Sequence, residues 1–189
     1  RTNKNKAENM ITVRGKKIST LYSAAEIESR NLGMAQEIAR RDHKDFIVIA
    51  ILKGSFVFAA DLIRAMHKSG VEPEVEFITL SSYGAGTEAG VVRILRDIDS
   101  NVEGRDVLLI DDILESGNTL KFASDLMHER GARNVEVAVL LDKHSKRKAD
   151  VTANYVGFDC PDYFVVGYGM DVGHAFRELP FVGIVEGDA

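Results

Sequence analysis

Two adjacent carboxylates at the end of an apolar run, followed by a small hydroxyl-bearing turn, are the residues of this chain best suited to chemistry. They stand in Val107-Leu-Leu-Ile-Asp-Asp-Ile-Leu-Glu-Ser-Gly-Asn-Thr-Leu120. Gly117 permits close backbone approach, and amides opening a helix after it favour a phosphate, with Ser116 and Thr119 adding hydroxyl donors. Asp111, Asp112 and Glu115 would repel an anion there unless they bind sugar hydroxyls or magnesium, and both suit a phosphorylated sugar. A second place is Leu52-Lys53-Gly54-Ser55, where a lysine ends an apolar run and could meet a diphosphate. A third combines Leu140-Leu-Asp-Lys143 with Asp159-Cys-Pro-Asp-Tyr-Phe-Val-Val-Gly-Tyr-Gly-Met-Asp171 and Phe176-Arg177. Each residue read alone keeps a plainer alternative. Asp111 and Asp112 can cap a turn, Lys53 can be a solvated lysine, Phe164 a core aromatic and Asp171 a loop acid.

The elements that must position these residues follow from apolar periodicity. Ser23 and Glu26 form a capping box that opens a helix, with Ile27, Met34, Ile38 and Ala39 on one side. Residues 46–52 (FIVIAIL) form a strand fit for burial on both faces, and a helix over 55–70 ends at Gly70. Strands are predicted over 75–83, 91–97, 107–112 and 135–143, with a mobile loop over 84–90 and a helix after 116 that ends at Gly131. The apolar stretches YVGFD and YFVVGYG come last. Strands alternating with helices imply an α/β fold with a mostly parallel, twisted sheet flanked by helices. Ligands of such sheets bind beyond the carboxyl ends of the strands, where the three places above lie.

Bulk properties narrow the class. A chain of 189 residues, 45% hydrophobic and 28% charged, is large enough for one domain with a real core. The net charge of −5 argues against a nucleic-acid partner. The basic cluster Lys143-His-Ser-Lys-Arg-Lys148 reads as a solvated turn. A single cysteine, Cys160, rules out an intramolecular disulfide and fits a reducing compartment. With no apolar run of membrane-spanning length and no signal-like opening, a cytoplasmic address and no membrane partner are expected. Residues 1–9 read as a disordered arm or an appended remnant ahead of Met10.

Residues 107–120 closely resemble the signature that binds phosphoribosyl pyrophosphate (PRPP) in type I phosphoribosyltransferases. They contain neither a Walker A loop nor a dinucleotide G-x-G-x-x-G. Leu52-Lys-Gly-Ser resembles the pyrophosphate loop of hypoxanthine-guanine phosphoribosyltransferases, in which the Leu-Lys peptide can be cis. The match with that family runs from roughly Leu52 to Leu179 in order and spacing.

The resemblance implies one domain over 10–189, with a small hood over the active site built from the N-terminal strand and roughly 143–189. It implies transfer of the phosphoribosyl group of PRPP to N9 of hypoxanthine and guanine, with magnesium as cofactor. By the same resemblance, Asp111 and Asp112 meet the ribose hydroxyls and their metal. Glu115, Ser116, Gly117, Asn118 and Thr119 hold the 5′-phosphate, and Lys53, Gly54 and Arg177 the pyrophosphate. Lys143, Phe164, Val165 and Asp171 frame the purine, and Asp171 also supports a second magnesium. Ser82 and Tyr83 begin a lid. Glu115 takes the place of the family's catalytic acid-base residue. Here the chain departs from the commoner Glu-Asp-x-x-Asp, reading Asp111-Asp112-Ile-Leu-Glu115. A homodimer or homotetramer is implied. The alternatives are a regulator of the same fold, which would need a basic surface for nucleic acid, and a preference for another 6-oxopurine.

Overall fold

A computed structural model describes residues 9–83 and 90–187. Residues 1–8 of the expected arm, residues 84–89 of the expected loop and the side chain of Tyr83 lie outside the described residues.

Six strands form the main sheet: β3 (Ile47–Leu52), β4 (Glu74–Tyr83), β5 (Val91–Arg96), β6 (Asp106–Leu114), β7 (Asn134–Asp142) and β8 (Tyr155–Asp159). Their order is β5-β4-β3-β6-β7-β8, parallel throughout except for the antiparallel edge strand β5. The helices α1 (Ala24–Ala39), α2 (Phe56–Lys68) and α3 (Asn118–Glu129) cover it. Strand alternation divides the core in two. Val48, Ala50, Leu108 and Ile110 pack with α1 and α2, while Ile47, Ile49, Val107 and Leu109 pack with α3. This is the double burial that the β-branched runs require.

The capping box forms: Ser23 Oγ accepts from the Glu26 amide and Glu26 accepts from the Ser23 amide. The buried helix face differs from the sequence reading at three positions. Ala39 is exposed, and Asn31 and Ala35 join Ile27, Met34 and Ile38 inside, because Ala39 falls at the fraying last turn.

A second sheet, ordered β1-β2-β10-β9, joins the hairpin of β1 (Met10–Val13) and β2 (Lys16–Tyr22) to β10 (Val182–Val185) and β9 (Val165–Val166). Arg14 (φ 50°) and Gly15 (φ 77°) make the two-residue turn, the positive-φ pair that suits the twist of a tight hairpin. Of the C-terminal region, β8 joins the main sheet instead. The small sheet is fastened to the helices through Tyr168, whose hydroxyl donates to Asp61 of α2 (2.5 Å) and accepts from Asn31 of α1 (2.9 Å). No helix among the described residues is long and apolar enough to cross a membrane, which says nothing of spanning strands.

Candidate active site

The chain order reverses between β3 and β6: from β3 it proceeds to β4 on one side, and from β6 to β7 on the other. At such a switch point the connecting loops part and leave a crevice. Here the crevice is lined by Leu52, Lys53 and Gly54 from β3, by Leu80 and Ser82 from β4, and by residues 111–117 with Thr119 and Leu120 after β6.

β6 runs two residues past the expected end at Asp112. Its pairing with β3 is described only as far as Ala50 with Ile110, while β7 keeps it extended to Leu114, opposite Asp142. Asp111 and Asp112 therefore sit inside a strand on the stretch that β3 has left. Asp111 is buried and Asp112 half-buried. Burial, and then the charge of Asp112, push the Asp111 carboxyl well above the usual aspartate range. No cation among the described residues pairs with either acid.

Across the crevice the Leu52–Lys53 peptide is cis, as the resemblance allows. A Cβ on Gly54 would lie 2.1 Å from Asp112 Oδ2, so the carboxylate occupies the space that glycine leaves. Lys53 is exposed and makes no ion pair with the described residues.

Gly117 adopts the left-handed conformation (φ 84°) and serves as N-cap of α3, and with no side chain of its own it leaves the amides of Thr119 and Leu120 uncapped. Those amides keep their hydrogen-bonding capacity for an anion. A Cβ on Gly117 would come within 2.7 Å of Val151 Cγ1. Asn118 opens the helix, and its amide reaches Ser116 Oγ at 3.4 Å.

Lys143 follows β7 directly. Its side chain is only 6% exposed, and the ammonium donates to the Tyr163 carbonyl at 2.6 Å and stands 3.8 Å from Glu115. Glu115 is also 3.8 Å from Lys146, which pairs with Asp162 at 3.2 Å. Phe164 is 55% exposed, whereas Val165 is buried in β9. The Asp171 carboxylate accepts from the His174 amide (2.8 Å) and pairs with Arg177 (3.2 Å). Arg177 also donates to the Gly169 carbonyl at 2.7 Å. A Cβ on Gly169 would lie 2.8 Å from the Gly54 carbonyl, so this turn rests on the Lys53–Gly54 loop.

The three sequence segments thus meet at one sheet edge. Ser82 and Tyr83 are the last residues of β4, paired with Val92 and Val91, at the end of the strand predicted over 75–83. Sequence reasoning missed Arg147. Placed in a solvated turn, it is instead largely covered, and its guanidinium donates to the carbonyls of Leu114, Glu115 and Val151 and to Asp142. The available signal was a lone arginine between Lys143 and the apolar Ala149 and Val151, which is weak because its partners are mostly main-chain atoms.

A family model described as the phosphoribosyl transferase domain matches residues 17–172. The hypoxanthine-guanine phosphoribosyltransferase of Dictyostelium discoideum is 41% identical over 166 residues, covering 86% of this chain and 92% of its own length. That of Bacillus subtilis (strain 168) is 41% identical over 168 residues, with 88% and 92% covered. Among solved structures, a hypoxanthine phosphoribosyltransferase from Staphylococcus aureus aligns with a TM-score of 0.83 at 34% identity, over 98% of this chain and 97% of that one. Agreement of this extent, in sequence and in backbone, settles the kinship of the crevice and the sheet that makes it: the chain belongs to the phosphoribosyl transferase family.

Proposed function

We infer that this chain transfers the phosphoribosyl group of PRPP to N9 of hypoxanthine and of guanine, releasing pyrophosphate and the purine nucleotide. One observation carries the assignment to this crevice. The uncapped amides after Gly117, the paired Asp111 and Asp112, and the ammonium of Lys143 converge on one strand edge. A phosphate, a ribose and a 6-oxopurine need those three groups in that sequence.

In the reaction the C1′–N9 bond forms, the bond from C1′ to the pyrophosphate oxygen breaks with its electrons leaving on that oxygen, and the purine loses a proton. The amides of residues 116–119 hold the 5′-phosphate, with Ser116 and Thr119 adding hydroxyls. Asp111 and Asp112 orient the ribose through its hydroxyls. Lys53, the Gly54 main chain and Arg177 take the pyrophosphate, whose developing charge a fixed cation favours. Glu115 takes up the purine proton as general base. Phe164, largely exposed, stacks on the base, and the Val165 main chain reads the far edge. Lys143 offers only donors, which suits the carbonyl O6 of hypoxanthine or guanine and opposes the amino group of adenine.

Magnesium fits the donor set. Asp111, Asp112 and Asp171 present hard carboxylate oxygens, and the first two adjoin each other with no cation among the described residues paired to either. When bound, the metal would neutralise charge on the pyrophosphate. The test is a product assay with PRPP, magnesium and each purine in turn. Nucleotide should form from hypoxanthine and guanine, and appreciable product from adenine would refute the role of Lys143.

A further inference from the structure

We propose that Arg147 is a positioning residue that aims the amides of the 5′-phosphate loop into the crevice. The inference deepens the phosphate-loop reading and rests on it.

Arg147 lies behind the loop, its side chain 20% exposed. Its Nε donates to the Glu115 carbonyl at 3.0 Å, and its terminal nitrogens donate to the carbonyls of Val151 (3.1 Å) and Leu114 (3.4 Å) and to the Asp142 carboxylate. The next carbonyl, of Ser116, accepts from the amides of Lys148 (2.9 Å) and Ala149 (3.0 Å). In a trans peptide the C=O and the following N–H point in opposite directions. Holding the Glu115 and Ser116 carbonyls on the Arg147 side therefore turns the Ser116 and Gly117 amides the other way, towards the crevice that both residues line. The aliphatic stem reinforces this. A Cβ on Gly117 would lie 3.2 Å from Arg147 Cδ, so the stem forms the floor beneath the glycine.

Only arginine fits the task. A planar fork with five donors serves three carbonyls and one carboxylate at once, which a lysine ammonium on a single axis cannot. Asp142 fixes the fork and is itself the last residue of β7 before Lys143. The arginine behind the phosphate loop is thus ion-paired to the residue that precedes Lys143 in the chain.

The test is steady-state kinetics of Arg147→Lys, which keeps a cation beside Asp142. The Michaelis constant for PRPP should rise about 10–100-fold, the order expected when a binding group shifts by up to about 1 Å. The constant for hypoxanthine should stay within about twofold. Loss of active fraction with both constants unchanged would mean a merely structural arginine and would overturn the proposal, as would an equal rise in both. Nuclear magnetic resonance of the wild-type protein gives a readout that needs no variant. On titration with inorganic phosphate, the Ser116 and Gly117 amide signals should move, while the Arg147 Nε–H stays slowly exchanging and unshifted. An Nε–H signal that moves with the amides, or exchanges freely, would overturn the positioning role alone. Unmoved amides would overturn the phosphate-loop reading and the proposal with it.

Discussion

Lys143 carries three donors, and in the free protein the Tyr163 carbonyl takes one while Glu115 stands at ion-pair distance. On the proposed assignment, truncation to Lys143→Ala would remove a charge-assisted bond to the base, worth about 1.5–3 kcal/mol. The Michaelis constant for hypoxanthine should rise by about 10–150-fold with that for PRPP nearly unchanged, and kinetics in each substrate checks the split. Glu115 calls for the opposite pattern. Glu115→Gln should lower kcat by roughly 10²–10⁴ and spare PRPP affinity, since the proposed phosphate contacts are main-chain amides. A kcat within about threefold of wild type would remove the acid from the chemistry. Glu115→Asp restores the commoner family residue on a shorter arm, 3.8 Å contacts to Lys143 and Lys146 having been set for the longer one, so activity should be reduced but measurable. The residues legible in advance, from Asp111 to Thr119, sit in one contiguous run whose types state their chemistry. Arg147 was not legible, because its partners are carbonyls that only the folded chain assembles.

At the scale of elements, β6 and α3 share a turn that depends on one missing side chain. Gly117→Ala would place a Cβ on a left-handed backbone, at about 1–2 kcal/mol, and against Val151 Cγ1 at 2.7 Å, an overpacking worth about 1–3 kcal/mol. Denaturant titration should show that loss of stability together with weaker phosphate binding; a variant as stable as wild type would mean that the turn relaxes freely. The strands were readable from β-branched runs such as Ile47–Leu52, buried on both faces. Their ends were not. Asp111 and Asp112 break the apolar run, yet hydrogen bonding to β7 carries β6 on to Leu114, and a strand's neighbour is invisible to local pattern. β9 and β10 were obscured for a related reason: strands of two and four residues show too few alternations to mark a period.

Across the whole molecule the site is held at a cost that pH exposes. The Asp111 carboxyl titrates higher in the folded protein than in the unfolded chain, so its contribution is favourable only below the unfolded value and is lost as pH rises through the folded one. Asp111→Asn should therefore melt above wild type at neutral pH without magnesium, and the gap should close as the buffer approaches pH ~4. The difference between the two proteins is the proper readout. Arg133 holds Asp106 and Arg130 holds Asp97 below the usual carboxylate range, so both proteins lose stability as acid protonates those groups. A gap that does not change with pH would show that Asp111 is ionised throughout. The small sheet carries a different consequence. β2, early in the chain, pairs with β10, whose residues 182–185 come late. The groups behind the phosphate loop, by contrast, end at Val151. During synthesis from the N-terminus, the residues proposed to cradle the phosphate leave the ribosome before β10, which joins β2 in the small sheet. The proposed sugar-phosphate contacts can accordingly form on a nascent chain before the proposed purine chamber is complete.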